Sequence, residues 1–478
     1  MDVREATVIP GLIDSHGHME RFGDSLEILD LRQARSVNEI VTAVGEAVKS
    51  RPKGEWIRGR AWDQTRWPGR QFPHADDLSS VSPDHPVCLT RVDGHAAWVN
   101  RKALDIADLN VSTPDPEGGR ILRDGQGRPS GVLIDRAKEM VSRKIPPSSR
   151  EQVRQRILRA AQECARFGVT TVHDAGSSAN DIAAYRALIA AGQLPVRIYA
   201  MIGGAGALWE DYLNKGPEIG AYLTVRGIKL MAHGALGSRG AALKEPYSDE
   251  SAHRGLLILN QAQIERVARQ AVTHGFQVNT HAIGDLANRT VLDAYANVLQ
   301  GANGKRFRIE HAQIVSLEDI PLFKRYSVIA SIQATHATSD MRWAETRVGP
   351  TRIAGAYAWQ HFLKAGVRIA NGSDFPVEEP NPLWGFYSSI TRQDHAGQPN
   401  GGWMPDQRLT RGEALESWTI DGAYAAFEEK SKGSLEPGKA ADFILLSRGI
   451  MKVPALEILQ THVIMTVNGG RIVYQANP

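Results

Sequence analysis

Two patterns of apolar and polar positions alternate along the chain. Short β-branched apolar runs that end in polar residues or glycine cover 11–18, 169–174, 196–202, 225–234, 277–284, 306–312, 327–335 and 367–374. Each has the length and composition of a buried strand. Between most of them lie stretches with apolar residues at helical spacing, such as 182–191, 261–273 and 288–299. Ser36-x-x-Glu39, Ser149-x-x-Gln152 and Thr410-x-x-Glu413 have the form of capping boxes that open further helices. Eight strands alternating with helices predict a parallel α/β architecture, and the count of eight favours a closed (β/α)8 TIM-type barrel. An open doubly wound sheet is the alternative, but it usually brings a phosphate-binding glycine loop, which this sequence lacks.

Two regions break the alternation. Residues 51–148 hold Trp56, Trp62, Trp67 and Trp98 among many Gly and Pro residues, and read as an insertion of irregular β structure folding lid-like over one mouth of the barrel. From about residue 431 the pattern returns to short strands at 442–447, 463–468 and 471–474, with Asn468-Gly469-Gly470 as a hairpin turn. The expected organisation is a barrel over 11–430 carrying the 51–148 insertion, with 1–10 and 431–478 forming a small β subdomain.

Composition narrows the functional classes. With 56 basic and 53 acidic side chains the formal net charge is +3, which gives no reason to expect nucleic acid or an anionic membrane as partner. Hydrophobic residues at 42% and charged residues at 23% fit an ordinary globular chain with a sizeable core. Cys88 and Cys164 cannot build a disulfide framework and fit a reducing compartment. No signal-peptide core or run of 18 apolar residues occurs, so a cytoplasmic enzyme is expected. Walker, G-x-G-x-x-G, H-E-x-x-H and G-x-S-x-G signatures are all missing.

The placement of the histidines carries more information. In a parallel barrel the active site forms at the carboxyl ends of the strands. Those ends hold His16 and His18, Asp174, Lys229 and His233, His281, His311, His336 and Asp374. His16 and His18 are one residue apart, so on a strand both imidazoles face one side, as half of a zinc-type site. H-x-H alone is as often structural as ligating; its place after an apolar strand favours ligation.

The segment Pro10-Gly-Leu-Ile-Asp-Ser-His-Gly-His18 resembles the signature of the amidohydrolase superfamily of metal-dependent barrels. Trp62-Asp63-Gln64, Arg91-Val92-Asp93-Gly94-His95, Gly234 to Gly240, Ile309-Glu310-His311-Ala312-Gln313 and Gly372-Ser373-Asp374-Phe375-Pro376-Val377-Glu378 extend the likeness over essentially the whole chain. Together they resemble the YtcJ-like (amidohydrolase 3) branch, which includes N-substituted formamide deformylase. The resemblance implies His16, His18, Lys229, His281, His311 and Asp374 as ligands of one or two divalent ions, zinc by default with iron or manganese open. Lys229 would bridge as a CO2-derived carbamate; its plain alternative is a lysine that reaches solvent or pairs with an acid.

Asp374 would act as general acid and base in hydrolysis of a linear amide or related non-peptide C–N bond. A small-molecule amide-type substrate is the expected partner, with a homodimer allowed. A deaminase, or an ester or lactone hydrolase, is the alternative, and a non-catalytic scaffold the third reading. Deaminases of the superfamily usually place a glutamate three residues after the histidine matching His281; this chain has Gly284 there and Asp285 next. His95, Asp93, Trp62, His233, Arg239 and His336 are candidate substrate contacts. Trp62 could equally be core, Arg239 could pair with a protein acid, and His233 stands where relatives carry aspartate, as ligand, substrate contact or local variation. Relatives also place tens of residues of β structure before the first barrel strand. The shortened β-sandwich expected here should leave apolar surface exposed around 442–474.

Overall fold

A computed structural model describes residues 6–476 except 92–95, 117–118 and 238. The chain divides into two compact units, one formed by Met1–Gly23 with Arg150–Pro478 and the other by Asp24–Ser149.

The first unit contains the barrel. Its strands are β1 (Leu12–Gly17), β2 (Val169–Ser177), β3 (Arg197–Gly203), β4 (Leu223–Met231), β5 (Gln277–Ala282), β6 (Arg308–His311), β7 (Ile329–Ile332) and β8 (Ile369–Asn371). They pair in sequence order, every pairing parallel. Helices Ala179–Ala190, Gln261–His274 and Asp285–Leu299 occupy the stretches whose apolar spacing was helical. Asn260 and Thr410 close capping boxes with Gln263 and Glu413, satisfying first-turn amides that a helix cannot pair internally. Strand and helix side chains such as Val172, Ile228, Val278, Ile309, Val267 and Leu292 merge into one core.

The edge strands β8 and β1 lie side by side without a strand ladder between them. Side chain and backbone close this seam instead. The Asp374 amide donates to His16 O at 2.7 Å, and the Ser373 amide and hydroxyl donate to the Asp14 carboxylate at 3.1 and 2.6 Å. Gly372 permits the approach: a Cβ there would come within 2.5 Å of the His16 amide nitrogen. The barrel is thus drawn shut by the segments that carry His16 and Asp374.

Four strands, Thr7–Pro10, Phe443–Leu446, Val463–Asn468 and Arg471–Gln475, form an antiparallel sheet in the same unit. Gly469 and Gly470 both have positive φ, 61° and 77°, as a two-residue hairpin turn matched to strand twist requires. Asn468 donates to Thr170 O and Pro195 O, and Arg197 pairs with Asp442 at 2.5 Å, tying the sheet to the barrel strands. Ile444, Leu446, Ile458 and Val463 join the main core. Within 442–474 the exposed large apolar side chains among the described residues are Met451, Leu456 and Ile472.

The second unit runs from Asp24 to Ser149, where the sequence reading placed an insertion over 51–148; helix Val37–Lys49, opened by Ser36, packs with this unit's sheet. Its structure is regular: a six-stranded mixed sheet ordered Leu29–Asp30, Ile57–Trp62, Val87–Arg91, Ala96–Val99, Pro129–Asp135, Gly119–Arg123. Trp62, Trp67 and Trp98 pack against one another at its centre. Among the described residues no helix is long and apolar enough to cross a membrane.

Candidate metal centre

His16 is fully buried, and its Nδ1 lies 2.5 Å from Glu310 Oε2, also fully buried. A carboxylate can only accept, so Nδ1 carries the proton and Nε2 is the acceptor nitrogen. That nitrogen faces Lys229 Nζ at 3.2 Å and Asp374 Oδ1 at 3.6 Å. His18 Nε2 lies 3.0 Å from the same Asp374 oxygen, and His336 Nε2 is 3.7 Å from Oδ2. His311 is fixed in the same manner as His16: Nδ1 donates to Gln333 Oε1 at 2.6 Å, which frees Nε2.

Glu310 and His311 are sequence neighbours, so on a regular strand they would face opposite sides. Both take part in the centre because His311 adopts a left-handed φ of 76° at the strand end. Asp374, at φ 59°, is in the same region. Such conformations cost roughly 1–3 kcal/mol each in a non-glycine residue and persist where surrounding contacts impose them.

Donor atoms of His16, His18 and Asp374 lie within 4.8 Å of one another, and so do those of His311, His336 and Asp374. Asp374 is shared by both sets. Among the described residues the Asp374 Oδ1 and His336 Nε2 atoms are buried without a hydrogen bond by geometry. Imidazole nitrogens and carboxylate oxygens converging with unspent lone pairs fit one or two divalent cations.

The protonation pattern agrees. Burial, reinforced by neighbouring cations, pushes His16, His281 and His311 below the ordinary histidine range, leaving neutral imidazoles. Burial also lowers the Lys229 ammonium, against the pull of Glu310 and Asp374. For Asp374, burial would raise the carboxyl, but His18, His16 and His311 outweigh it and hold the group well below the carboxylate range. Burial likewise opposes ionisation of Glu310, yet His16, Arg308 and Lys229 bring its pKa down to about 2.

The remaining candidates are placed as follows. His281 has its ring 4.5 Å from that of His311, with Nε2 3.5 Å from Gly234 O; it lies outside both donor sets. His336, read as a substrate contact, instead enters a donor set, because a helix over Ala334–Asp340 starts directly after β7. His233 is fully buried; its Nε2 accepts the Ile283 amide at 2.7 Å, so it braces the end of β5 rather than facing the cavity. Arg239 pairs with Asp249 and Glu250, and Asp174 accepts from the Met19 amide, Ser177 and Tyr185.

Trp62 is fully buried in the second unit and donates its indole N–H to Leu89 O at 2.7 Å, a core residue with no face left for a ligand. Asp93 and His95 lie outside the described residues. Sequence reasoning missed Glu310, Gln333 and Asp14. Only the first had a visible signal, an acid beside a candidate ligand at a strand end.

A cavity of about 1010 Å³ opens over this centre. His18, Lys229, His281, His311, His336 and Asp374 form its polar floor, and Leu230, Met231, Leu236, Ile258, Leu259 and Trp343 its apolar wall.

Comparison with known proteins places this arrangement. The chain is 32% identical over 475 residues to the YtcJ protein of Bacillus subtilis, covering 98% of this chain and 89% of that protein. It is 26% identical over 499 residues to the N-substituted formamide deformylase of Arthrobacter pascens, covering 99% and 90%. The crystal structure of a metal-dependent hydrolase from Pyrococcus horikoshii superposes with a TM-score of 0.80 at 28% identity, over 95% of this chain and 89% of that one. The amidohydrolase family model matches residues 1–474, and the chain belongs to that family, in its YtcJ-like branch.

Proposed function

We propose that the protein is a metal-dependent hydrolase that cleaves a linear amide or related non-peptide C–N bond. The observation that carries this reading is the position of Asp374, one carboxylate common to two sets of imidazole donors at the floor of a largely apolar cavity. His16, His18, His311, His336 and Asp374 would hold one or two divalent ions, zinc first among them, with His281 and Lys229 alongside. When bound, such ions lower the pKa of water from 15.7 toward 7 and polarise a carbonyl.

Asp374 is ionised at neutral pH and can take a proton from the attacking water, then deliver it to the departing nitrogen. Glu310 and Gln333 keep His16 and His311 in the tautomers that expose Nε2. Burial lowers the Lys229 ammonium, which favours loss of its proton; the free amine can then form an N–C bond to CO2 and lose a proton, giving a carbamate with two oxygens in place of one nitrogen. The apolar wall suits a hydrophobic N-substituent.

Amide hydrolysis is preferred over deamination because no carboxylate follows His281 into the cavity. Gly284 begins a helix there, and the Asp285 carboxylate accepts the Lys244 amide. The test is metal counting on purified protein, followed by a panel of N-formyl and N-acyl amines assayed for released amine and acid. Folded protein with less than about one metal per chain and no turnover would refute the proposal. Lys229→Ala is expected to lose metal and turnover together; retained occupancy by two ions would exclude a bridging lysine.

A further inference from the structure

Beside the centre, the cavity contains a carboxylate whose two oxygens are used unequally. Asp340 ends the helix Ala334–Asp340, one turn beyond His336 and on the same face. Its Oδ2 accepts from both Tyr357 Oη at 2.5 Å and Gln313 Nε2 at 3.2 Å, and Gln313 Nε2 also donates to the Tyr357 oxygen at 2.5 Å. Tyr357 and Gln313 are 3% and 4% exposed, and the Tyr357 amide donates to Gln313 O at 2.7 Å, so the pair is a fixed mount.

Among the described residues no donor bonds Asp340 Oδ1, and no lysine or arginine pairs with Asp340, although the residue lines the cavity. Glu378, held by the Ser339 hydroxyl at 2.7 Å, lines the cavity too and carries a second negative charge. A mount of two buried donors on one oxygen needs no charge on the other. It does hold that other oxygen in place for a donor arriving through the cavity.

We propose that Asp340 is a specificity-determining residue whose Oδ1 accepts a hydrogen bond from a protonated amine on the substrate, so that the preferred substrates are N-acylated diamines. The reacting amide would sit over Asp374 and His336. The second nitrogen would lie about 6 Å further on, one turn along the helix axis. A charge-assisted hydrogen bond in an apolar cavity supports a preference of about tenfold or more over a matched neutral ligand. Arg21 and Arg266 also line the cavity, so a carboxylate-bearing ligand is the necessary counter-probe.

This assignment rests on the amide-hydrolysis reading for its substrate class, and it is tested by binding rather than turnover. The metal-loaded protein as purified is titrated calorimetrically with 4-methylbenzyl alcohol, 4-(aminomethyl)benzyl alcohol and 4-(hydroxymethyl)benzoate, which share one neutral end and differ only in the charge at the other. The amine is expected to bind at least tenfold more tightly than the methyl compound. In Asp340→Asn, whose amide oxygen can still accept from Tyr357 and Gln313, that ratio should fall to within about twofold.

A wild-type ratio near one, tightest binding by the carboxylate, or a ratio unchanged in a folded Asp340→Asn protein would each overturn the proposal. The wild-type ratio and Glu378→Gln give readings even if Asp340→Asn does not fold. Collapse of the ratio in Glu378→Gln alone would move the recognition to Glu378 and overturn it as well. A tenfold preference without turnover of N-formyl amines would sink the hydrolysis reading and leave Asp340 assigned; turnover without preference would do the reverse.

Discussion

Replacing Glu310 with glutamine removes one negative charge from a fully buried pair while leaving an oxygen that can accept from His16 Nδ1. Glutamine mimics the protonated acid, so its cost equals the free energy by which the fold prefers the carboxylate. The Glu310 pKa falls from 4.5 to about 2, and at 1.36 kcal/mol per pKa unit the wild type gains about 3 kcal/mol at pH 7. A depressed acid contributes fully above its unfolded pKa and loses its contribution as pH falls toward the folded one. The gap between wild type and Glu310→Gln should therefore be constant above pH 5 and shrink to less than half by pH 3.

The assay is a urea series on chelator-treated protein, read by hydrogen exchange in peptides covering Arg308–His311, which isolates this strand from the second unit. A cost under about 1 kcal/mol at pH 7, or a gap that fails to close between pH 5 and pH 3, would refute the ionised Glu310. Metal affinity gives an independent reading. Glutamine keeps the acceptor for His16 Nδ1 but removes the charge that raises ligand basicity, and changes to such a partner typically weaken metal binding tenfold to a hundredfold.

Three further outcomes are expected. His233→Phe strands the buried Ile283 amide and should cost about 1–3 kcal/mol, with faster exchange of that amide; wild-type exchange would show that His233 does not brace β5. Trp62→Ala should destabilise the second unit by about 3–5 kcal/mol in denaturant, with metal content unchanged, whereas a loss of ligand binding without loss of stability would return Trp62 to the substrate wall. Cys88 and Cys164 are buried, and burial lifts the Cys88 thiol to about 11 and raises that of Cys164 well above its ordinary range; neither should react with a disulfide reagent until the chain unfolds, as a colorimetric thiol count would show.

What could be read from the sequence was whatever local periodicity encodes. The eight barrel strands fell where short β-branched runs ended in polar residues or glycine, the pattern of strands largely buried on both faces. His16 and His18 were legible for the same reason. The second unit's boundary was not: helix Val37–Lys49 has the same amphipathic pattern whichever sheet it covers, and only its partners decide. The tryptophans announced aromatic packing without saying whether it faced a ligand or a core, and the frequent Gly and Pro residues hid a regular sheet.

Glu310 shows a deeper limit. Strand alternation assigns it and His311 to opposite faces, and the left-handed His311 backbone that reconciles them is imposed by tertiary contacts that no local pattern records. His336 was hidden by a smaller error of the same kind. The apolar run 327–335 read as strand to its end, but the helix begins at Ala334 with no intervening loop. That shift converts His336 from a residue trailing a strand into one on a helix face, where position i+4 becomes its neighbour. Asp340 occupies that position, and only the helical reading brings it into the same cavity as the metal donors.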